Sequence, residues 1–311
     1  MTSERSLYPM GPGKVRAEWG PMRLVLEVWR KKKPDDDLAW FGGRIAFQAL
    51  EDVGAEYRRL QAPSLGLKIS PRSRVAAAML QATRAFMEPD LTPIAAVAGS
   101  IADQVADWLV DQGAEKAIVD NGGDIAIRLS PDSVARVGLQ ALPQQPEENH
   151  TLYLHGRQAS WGVATSGLGG RSLTKGIASS VTVLAQTAAA ADAAATAVAN
   201  ACTVDDARIL RIPAQSVDPA SDLGEDLVIM GLEPLEDELW NMALERAMAK
   251  AERYLSQGWI FGAYCVAGPL SAWTSSLDQF SLPPSGSMNT ANFPFLSVLG
   301  QEIFKICRRQ S

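Results

Sequence analysis

The alternation of apolar and polar positions changes period several times along the chain, and each change marks an element. Residues 13–30 (GKVRAEWGPMRLVLEVWR) read as two runs of β-formers broken by Gly20-Pro21, which predicts a hairpin. The charge-dense stretch 30–37 (RKKKPDDD) reads as a solvated turn. Helical spacing takes over at 38–60, although Gly42-Gly43 weaken its start, and returns at 73–88. A break runs from Glu88 to Pro93. Pro93 suits a first helical turn, and the helix predicted at 93–112 stops at Gly113 as at a C-cap. Strands are predicted at 117–120 and 124–129 around Asn121-Gly122-Gly123, then at 134–141, 151–155 and 159–165, with a polar loop at 142–149. A charged-faced helix at 235–257 and a closing strand at 260–268 follow. Strands adjacent in sequence alternate with isolated helices. That order predicts an α+β fold, antiparallel sheet packed with helices, over a strictly alternating parallel sheet.

The sharpest departure from ordinary patterning is 181–202 (VTVLAQTAAAADAAATAVANAC), a buried strand running into a helix that is almost all alanine. A helix this small on every side predicts the close approach of a neighbour. After Thr187 its polar residues are Asp192, Thr196 and Asn200, at i, i+4 and i+8, which makes one stripe on one face. A lone carboxylate amid alanine is costly to bury unless it is paired or metal-bound. Asp192 with Thr196 one turn later offers the oxygen donors a hard cation takes. A backbone cap or a solvent-facing position would account for Asp192 equally well.

Composition narrows the classes. The chain has 311 residues, 47% of them apolar and 21% charged, enough for one large or two modest globular domains. A net charge of −6 argues against broad attraction to nucleic acid or an anionic membrane. Cys202, Cys265 and Cys307 are far apart, without metal-type spacing, and fit a reducing compartment. The first residues lack an apolar signal core, and no window reaches about 18 uninterrupted apolar residues, so the expected location is the cytoplasm. Two histidines, His150 and His155, exclude a histidine-rich metal site.

Three further segments carry candidate chemistry. Residues 91–100 (LTPIAAVAGS) are small enough to let a backbone or ligand come close. Asp103 and Asp107 follow one turn apart, and Asp107 reads as part of a solvated face. Asn121-Gly122-Gly123 is a strong hairpin signal, and its glycines could also expose N–H groups to an anionic ligand. Thr165-Ser166-Gly167, followed by further glycines and Arg171, has the hydroxyls, amides and cation that suit phosphate. The Gly-Lys-Ser/Thr of a Walker A loop is absent, as is the Gly-x-Ser-x-Gly frame of a nucleophile elbow.

In order, Asn121-Gly122-Gly123-Asp124, Gly162-Val163-Ala164-Thr165-Ser166-Gly167, Ser180-Val181-Thr182-Val183 and Ala191-Asp192-Ala193-Ala194-Ala195-Thr196 resemble the ApbE-like superfamily. Pro93 to Ala102 and Asn121 to Asp124 resemble an uncharacterised branch of it. The resemblance covers roughly residues 13–268. It implies an ApbE-like, T-fold-related domain at 1–270 and an extension of unknown structure at 271–311. Known members are Mg²⁺-dependent FAD:protein FMN transferases, which attach FMN to a threonine of a partner protein. By resemblance Asp192 and Thr196 are metal ligands, and Asn121, Gly122, Gly123, Thr165, Ser166, Gly167 and Arg171 hold the cofactor. The implied cofactors are Mg²⁺ and FAD or FMN. The implied partners are a phosphate-bearing small molecule and an acceptor protein, with an oligomer left open. One family segment is missing: where classical transferases carry His-x-x-Asp-Pro-x-x-Gly, this chain has Arg171-Ser172-Leu173-Thr174-Lys175-Gly176. A transferase or hydrolase and a non-catalytic flavin or nucleotide binder therefore both stand as expectations. Arg171 or Lys175 would supply positive charge in the altered segment.

Overall fold

A computed structural model describes residues 4–140, 148–170, 172–280 and 304–308. In chain order the first elements are strands β1 (Ser6–Gly11), β2 (Lys14–Trp19), β3 (Met22–Arg30) and β4 (Lys33–Pro34) and helices α1 (Asp36–Glu56), α2 (Arg74–Ala85) and α3 (Val97–Asp111). Then come β5 (Lys116–Asn121), β6 (Ile125–Leu129), β7 (Val134–Gln140), β8 (Glu148–His155), β9 (Ser160–Ser166), β10 (Ser180–Ala185) and α4 (Ala188–Ala201). The last are β11 (Ile209–Pro213), α5 (Ala214–Val217), β12 (Leu227–Leu232), α6 (Asp237–Ser256), β13 (Gly262–Ala267), β14 (Leu270–Thr274) and β15 (Phe304–Arg308). The fold is α+β, and its strand pairs are antiparallel.

Two compact units divide the chain. One comprises Met1–Ala135, Leu154–Ala164 and Ala185–Ala193; the other comprises Arg136–Tyr153, Thr165–Leu184 and Ala194–Ser311.

In the first unit the strands run in the order β1-β2-β3-β5-β6-β9, with β4 on β3. Strand β3 buries Met22, Leu24, Leu26 and Val28 while Arg23, Val25 and Glu27 stay more exposed, the period of two that buries one face. Helix α1 lies on that sheet. Asp35 caps it by accepting the Leu38 N–H at 2.9 Å, so the helix starts at Asp36, inside the run read as a solvated turn. Gly42 and Gly43 weaken propensity but allow close packing: a Cβ on Gly42 would stand 2.8 Å from Leu26 Cδ2. Residues Pro93–Ala96 form a 3₁₀ turn ahead of α3, and Gly113 takes φ +89° after it.

In the second unit β10 pairs with β13, β13 with β14, and β14 with β15, while β11 and β12 form a separate hairpin. Every residue of β10 and β13 is buried. Helix α6 turns Trp240, Ala243, Leu244, Ala247, Met248, Ala251 and Tyr254 inward, spacings of three and four. The polar loop expected at 142–149 falls mostly outside the described residues. Beyond residue 270 the described residues are β14, a 3₁₀ turn at Ser275–Phe280 and β15.

Helix α4 carries residues of both units. Its alanines other than Ala190 and Ala201 are buried, and glycine backbones meet it within each unit, as the alanine pattern predicts. In the first, a Cβ on Gly99 of α3 would lie 2.8 Å from the Ala189 nitrogen. In the second, a Cβ on Gly176 would lie 2.9 Å from the Cys202 carbonyl oxygen. Between Ala191 and Asn200 only Asp192, Thr196 and Asn200 are not fully buried, so the stripe is real. Among the described residues no helix is long and apolar enough to cross a membrane.

Candidate functional site

The stripe begins at Asp192. Its carboxylate reaches the first turn of α3, where Oδ2 accepts the Gly99 N–H at 3.0 Å and the Ala98 N–H also donates to it. Asn121, the last residue of β5, comes to the same turn: its Nδ2 donates to the Ala98 carbonyl at 3.2 Å. Two residues chosen from separate segments therefore share one neighbour. The backbone-cap reading of Asp192 is realised, and a carboxylate with about four lone-pair positions keeps capacity beyond it. Burial pushes the Asp192 carboxyl up to about 7, against the lowering pull of the Gly99 and Ala98 amides, and the nearby charge of Asp103 adds to the rise. Burial thus opposes its charge more than the two amides support it.

Gly122 and Gly123 take φ +73° and +108° in the turn between β5 and β6, so the hairpin reading holds. The Asn121 N–H closes the turn on the Asp124 carbonyl at 3.0 Å. The Gly123 N–H is taken by Asp120 Oδ1 at 2.8 Å, which removes it as a donor to a ligand.

The remaining selected residues lie in the second unit. Thr165 is exposed, and its hydroxyl pairs with that of buried Thr182 at 2.8 Å. Gly167 has φ +141°, and a Cβ there would sit 2.8 Å from the Ser179 carbonyl oxygen. The Leu168, Gly169 and Gly170 N–H groups donate to the carbonyls of Ala178, Ser179 and Gly167. The loop therefore spends its amides on its own backbone, and what it offers outward is the hydroxyls of Thr165 and Ser166. Arg171 lies outside the described residues. Thr196 is half-buried on α4, one turn beyond Asp192.

Two features escaped the sequence reading. Asn200, at the end of the stripe, accepts the Lys175 N–H at 3.1 Å and so fixes the Thr174-Lys175-Gly176 segment. Lys175 Nζ is in turn paired with Asp226 at 2.7 Å. The second feature is Asp103, which is buried, bonded to Arg128 Nη2 at 2.9 Å, and accepts the Ala188 and Ala189 N–H groups at the start of α4. Asp107, read as solvated, is exposed but also pairs with Arg128, at 2.7 Å. Burial works against the Arg128 charge, but the two carboxylates outweigh it and hold the guanidinium above its ordinary range. The signal was a single arginine in an apolar strand (IAIRL) opposite two aspartates one helical turn apart.

The family model described as AbpE bacteria matches residues 5–279. The chain belongs to that family. Among curated relatives, a UPF0280 protein of Methanothrix thermoacetophila is 44% identical over 114 residues, 36% of this chain and 47% of the relative. A UPF0280 protein of Methanoregula boonei is 36% identical over 151 residues, 46% of this chain and 60% of the relative. The chain spans about half the length of the curated relatives it matches. Among solved structures it is similar to the flavin transferase ApbE from Vibrio cholerae, at 14% identity and a TM-score of 0.48, covering 89% of this chain and 100% of that one. Among the described residues no three His, Cys, Asp or Glu side chains gather as a metal cluster.

Proposed function

We propose that this protein binds a flavin nucleotide, FAD or FMN, with Mg²⁺ held by Asp192 and Thr196, in the cytoplasm and through residues 1–270. The observation that carries the reading is the geometry at Asp192: a half-buried carboxylate on an alanine helix, bonded to the Gly99 amide at 3.0 Å, with Thr196 one turn beyond it on the same stripe. Two oxygen donors suit Mg²⁺, which keeps waters and takes its other ligands from phosphates. When bound, the ion would neutralise phosphate charge. Asn121, Gly122, Gly123, Thr165, Ser166, Gly167 and Arg171 would surround the nucleotide, with Asn121 held at the Ala98 carbonyl and Thr165 at Thr182.

The reaction such a site suits is Mg²⁺-assisted cleavage of the FAD pyrophosphate, with FMN passed to an acceptor protein or to water and AMP released. One observation favours a second reading, a binder without chemistry. Thr174, Lys175 and Gly176 stand where classical transferases carry His-x-x-Asp-Pro, and Lys175 is engaged with Asp226. The test is to incubate the protein with FAD and Mg²⁺ and to analyse both protein and supernatant. AMP release with FMN free or attached supports catalysis. FAD retained intact supports the binder. A protein that neither retains nor cleaves FAD refutes both readings.

A further inference from the structure

Helices α3 and α4 exchange caps. The first turn of α4 leaves N–H groups without intrahelical partners. Asp103, seven residues into α3, accepts two of them, from Ala188 at 3.1 Å and Ala189 at 2.8 Å. Asp192, five residues into α4, accepts the amides of Gly99 and Ala98 in the first turn of α3. The two helices are close enough for this because residue 99 is glycine: any Cβ there would press on the Ala188 carbonyl and the Ala189 nitrogen. Asp103 is itself fixed from behind. Arg128 Nη2 holds it at 2.9 Å and Arg128 Nε holds Asp107 at 2.7 Å, a fork that β6 presents to α3.

A helix tied at two successive amides cannot rotate about its axis without breaking both bonds. The direction in which Asp192 and Thr196 point is set by that rotation. With side-chain oxygens about 5 Å from the helix axis, a rotation of about 10° moves them by roughly 1 Å. We propose that Asp103 is the positioning residue of the candidate metal site: it sets the rotation of α4 and so aims Asp192 and Thr196. The assignment rests on the reading that those two residues hold Mg²⁺ with a flavin nucleotide.

Thr187 provides the control. Its hydroxyl caps the next amide, Ala190, at 3.2 Å. Removing it weakens the same helix start but leaves both Asp103 bonds in place. The experiment titrates Mg²⁺ into each protein with FAD present and reads bound FAD by fluorescence quenching, alongside the melting temperature. Asp103→Asn should raise the Mg²⁺ concentration for half-maximal FAD binding about ten-fold and leave FAD binding in EDTA unchanged. Thr187→Ala should lower the melting temperature without moving the Mg²⁺ midpoint. Arg128→Lys keeps the charge but loses the fork, and should move the midpoint in the same direction by about three-fold; it serves as the test if Asp103→Asn does not fold. If the Asp103 and Arg128 variants move the Mg²⁺ midpoint no more than Thr187→Ala does, Asp103 is a structural cap and the proposal is wrong. If the parent shows no Mg²⁺-dependent FAD binding at all, the functional reading fails first and the positioning role falls with it.

Discussion

The alanine helix α4 and the glycine-rich loop at 167–170 are both built from the smallest residues, yet they use that smallness in opposite ways. In the loop, smallness lets the backbone close on itself. The amides of Leu168, Gly169 and Gly170 all find carbonyls at 167, 178 and 179, so little donor capacity is left over. In α4, smallness lets other backbones close on the helix, and the few polar side chains it keeps are held under strong constraint. Asp192 ends with two amide partners and a carboxyl still raised to about 7. The loop's amides are taken by its own backbone, whereas the Asp192 carboxylate has acceptor positions beyond its two amides. Capacity for a ligand follows polar groups with positions to spare, not glycine content, which puts the weight of the site on Asp192.

That contrast can be broken most severely at Gly99. A Cβ there would stand 2.8 Å from the Ala189 nitrogen, and the nearest atoms it meets are all backbone of Ala188 and Ala189, with no side chain to yield. Gly99→Ala should cost about 3 kcal/mol or more in urea unfolding, the range of an overpacked or strained core. A cost below about 1 kcal/mol would mean that the helices are not in tight contact.

A smaller effect is expected from the Asp192 charge. The folded carboxyl titrates near 7 and an unfolded aspartate near about 3.9, so the folded chain holds the extra proton between them. This contribution is full below the unfolded value and is lost as pH rises through the folded one. Asp192→Asn, which stays neutral, should remove that loss. Its melting temperature should exceed the parent's at pH 8 in EDTA, and the gap should shrink as pH falls and close only below about pH 4. Discounted for partial exposure, the difference is on the order of 1–2 kcal/mol. Equal pH profiles for the two proteins would show that the Asp192 charge is already compensated.

The loop side is sharpened by Thr182→Val, which keeps the shape of a buried residue and removes its bond to the Thr165 hydroxyl. The expected cost is about 1 kcal/mol, with no change in the pH profile that Asp192 governs. A change in that profile would show that the Thr165–Thr182 bond bears on the Asp192 charge even without ligand.

The parts of this picture that were legible in the sequence share a cause. Alanine at nearly every position of α4 announces close packing, and the spacing of Asp192, Thr196 and Asn200 follows from the helical period alone. The Asn-Gly-Gly turn carries its own positive-φ residues. What was hidden depends on pairing between distant segments. Asp103 looks like one more acidic residue on a helix until Arg128, 25 positions later, is placed beside it. The loop amides look available until residues 178 and 179 are seen to take them. Asp35 is the local exception: its partner, the Leu38 amide, is only three residues on, but three consecutive aspartates leave open which of them caps the helix. The hairpin of β11 and β12 is too short and too mixed (ILRIP and LVIMGL) to declare itself.

The central claim is that Asp192 holds a cation together with a flavin nucleotide, and the most direct measurement is FAD affinity with Mg²⁺ and with EDTA, in the parent and in Asp192→Ala. The account predicts that Mg²⁺ tightens FAD binding to the parent at least ten-fold and leaves the variant, still folded, unaffected. A variant that binds FAD with the parent's affinity and the parent's Mg²⁺ dependence would contradict it and leave Asp192 as a helix cap alone.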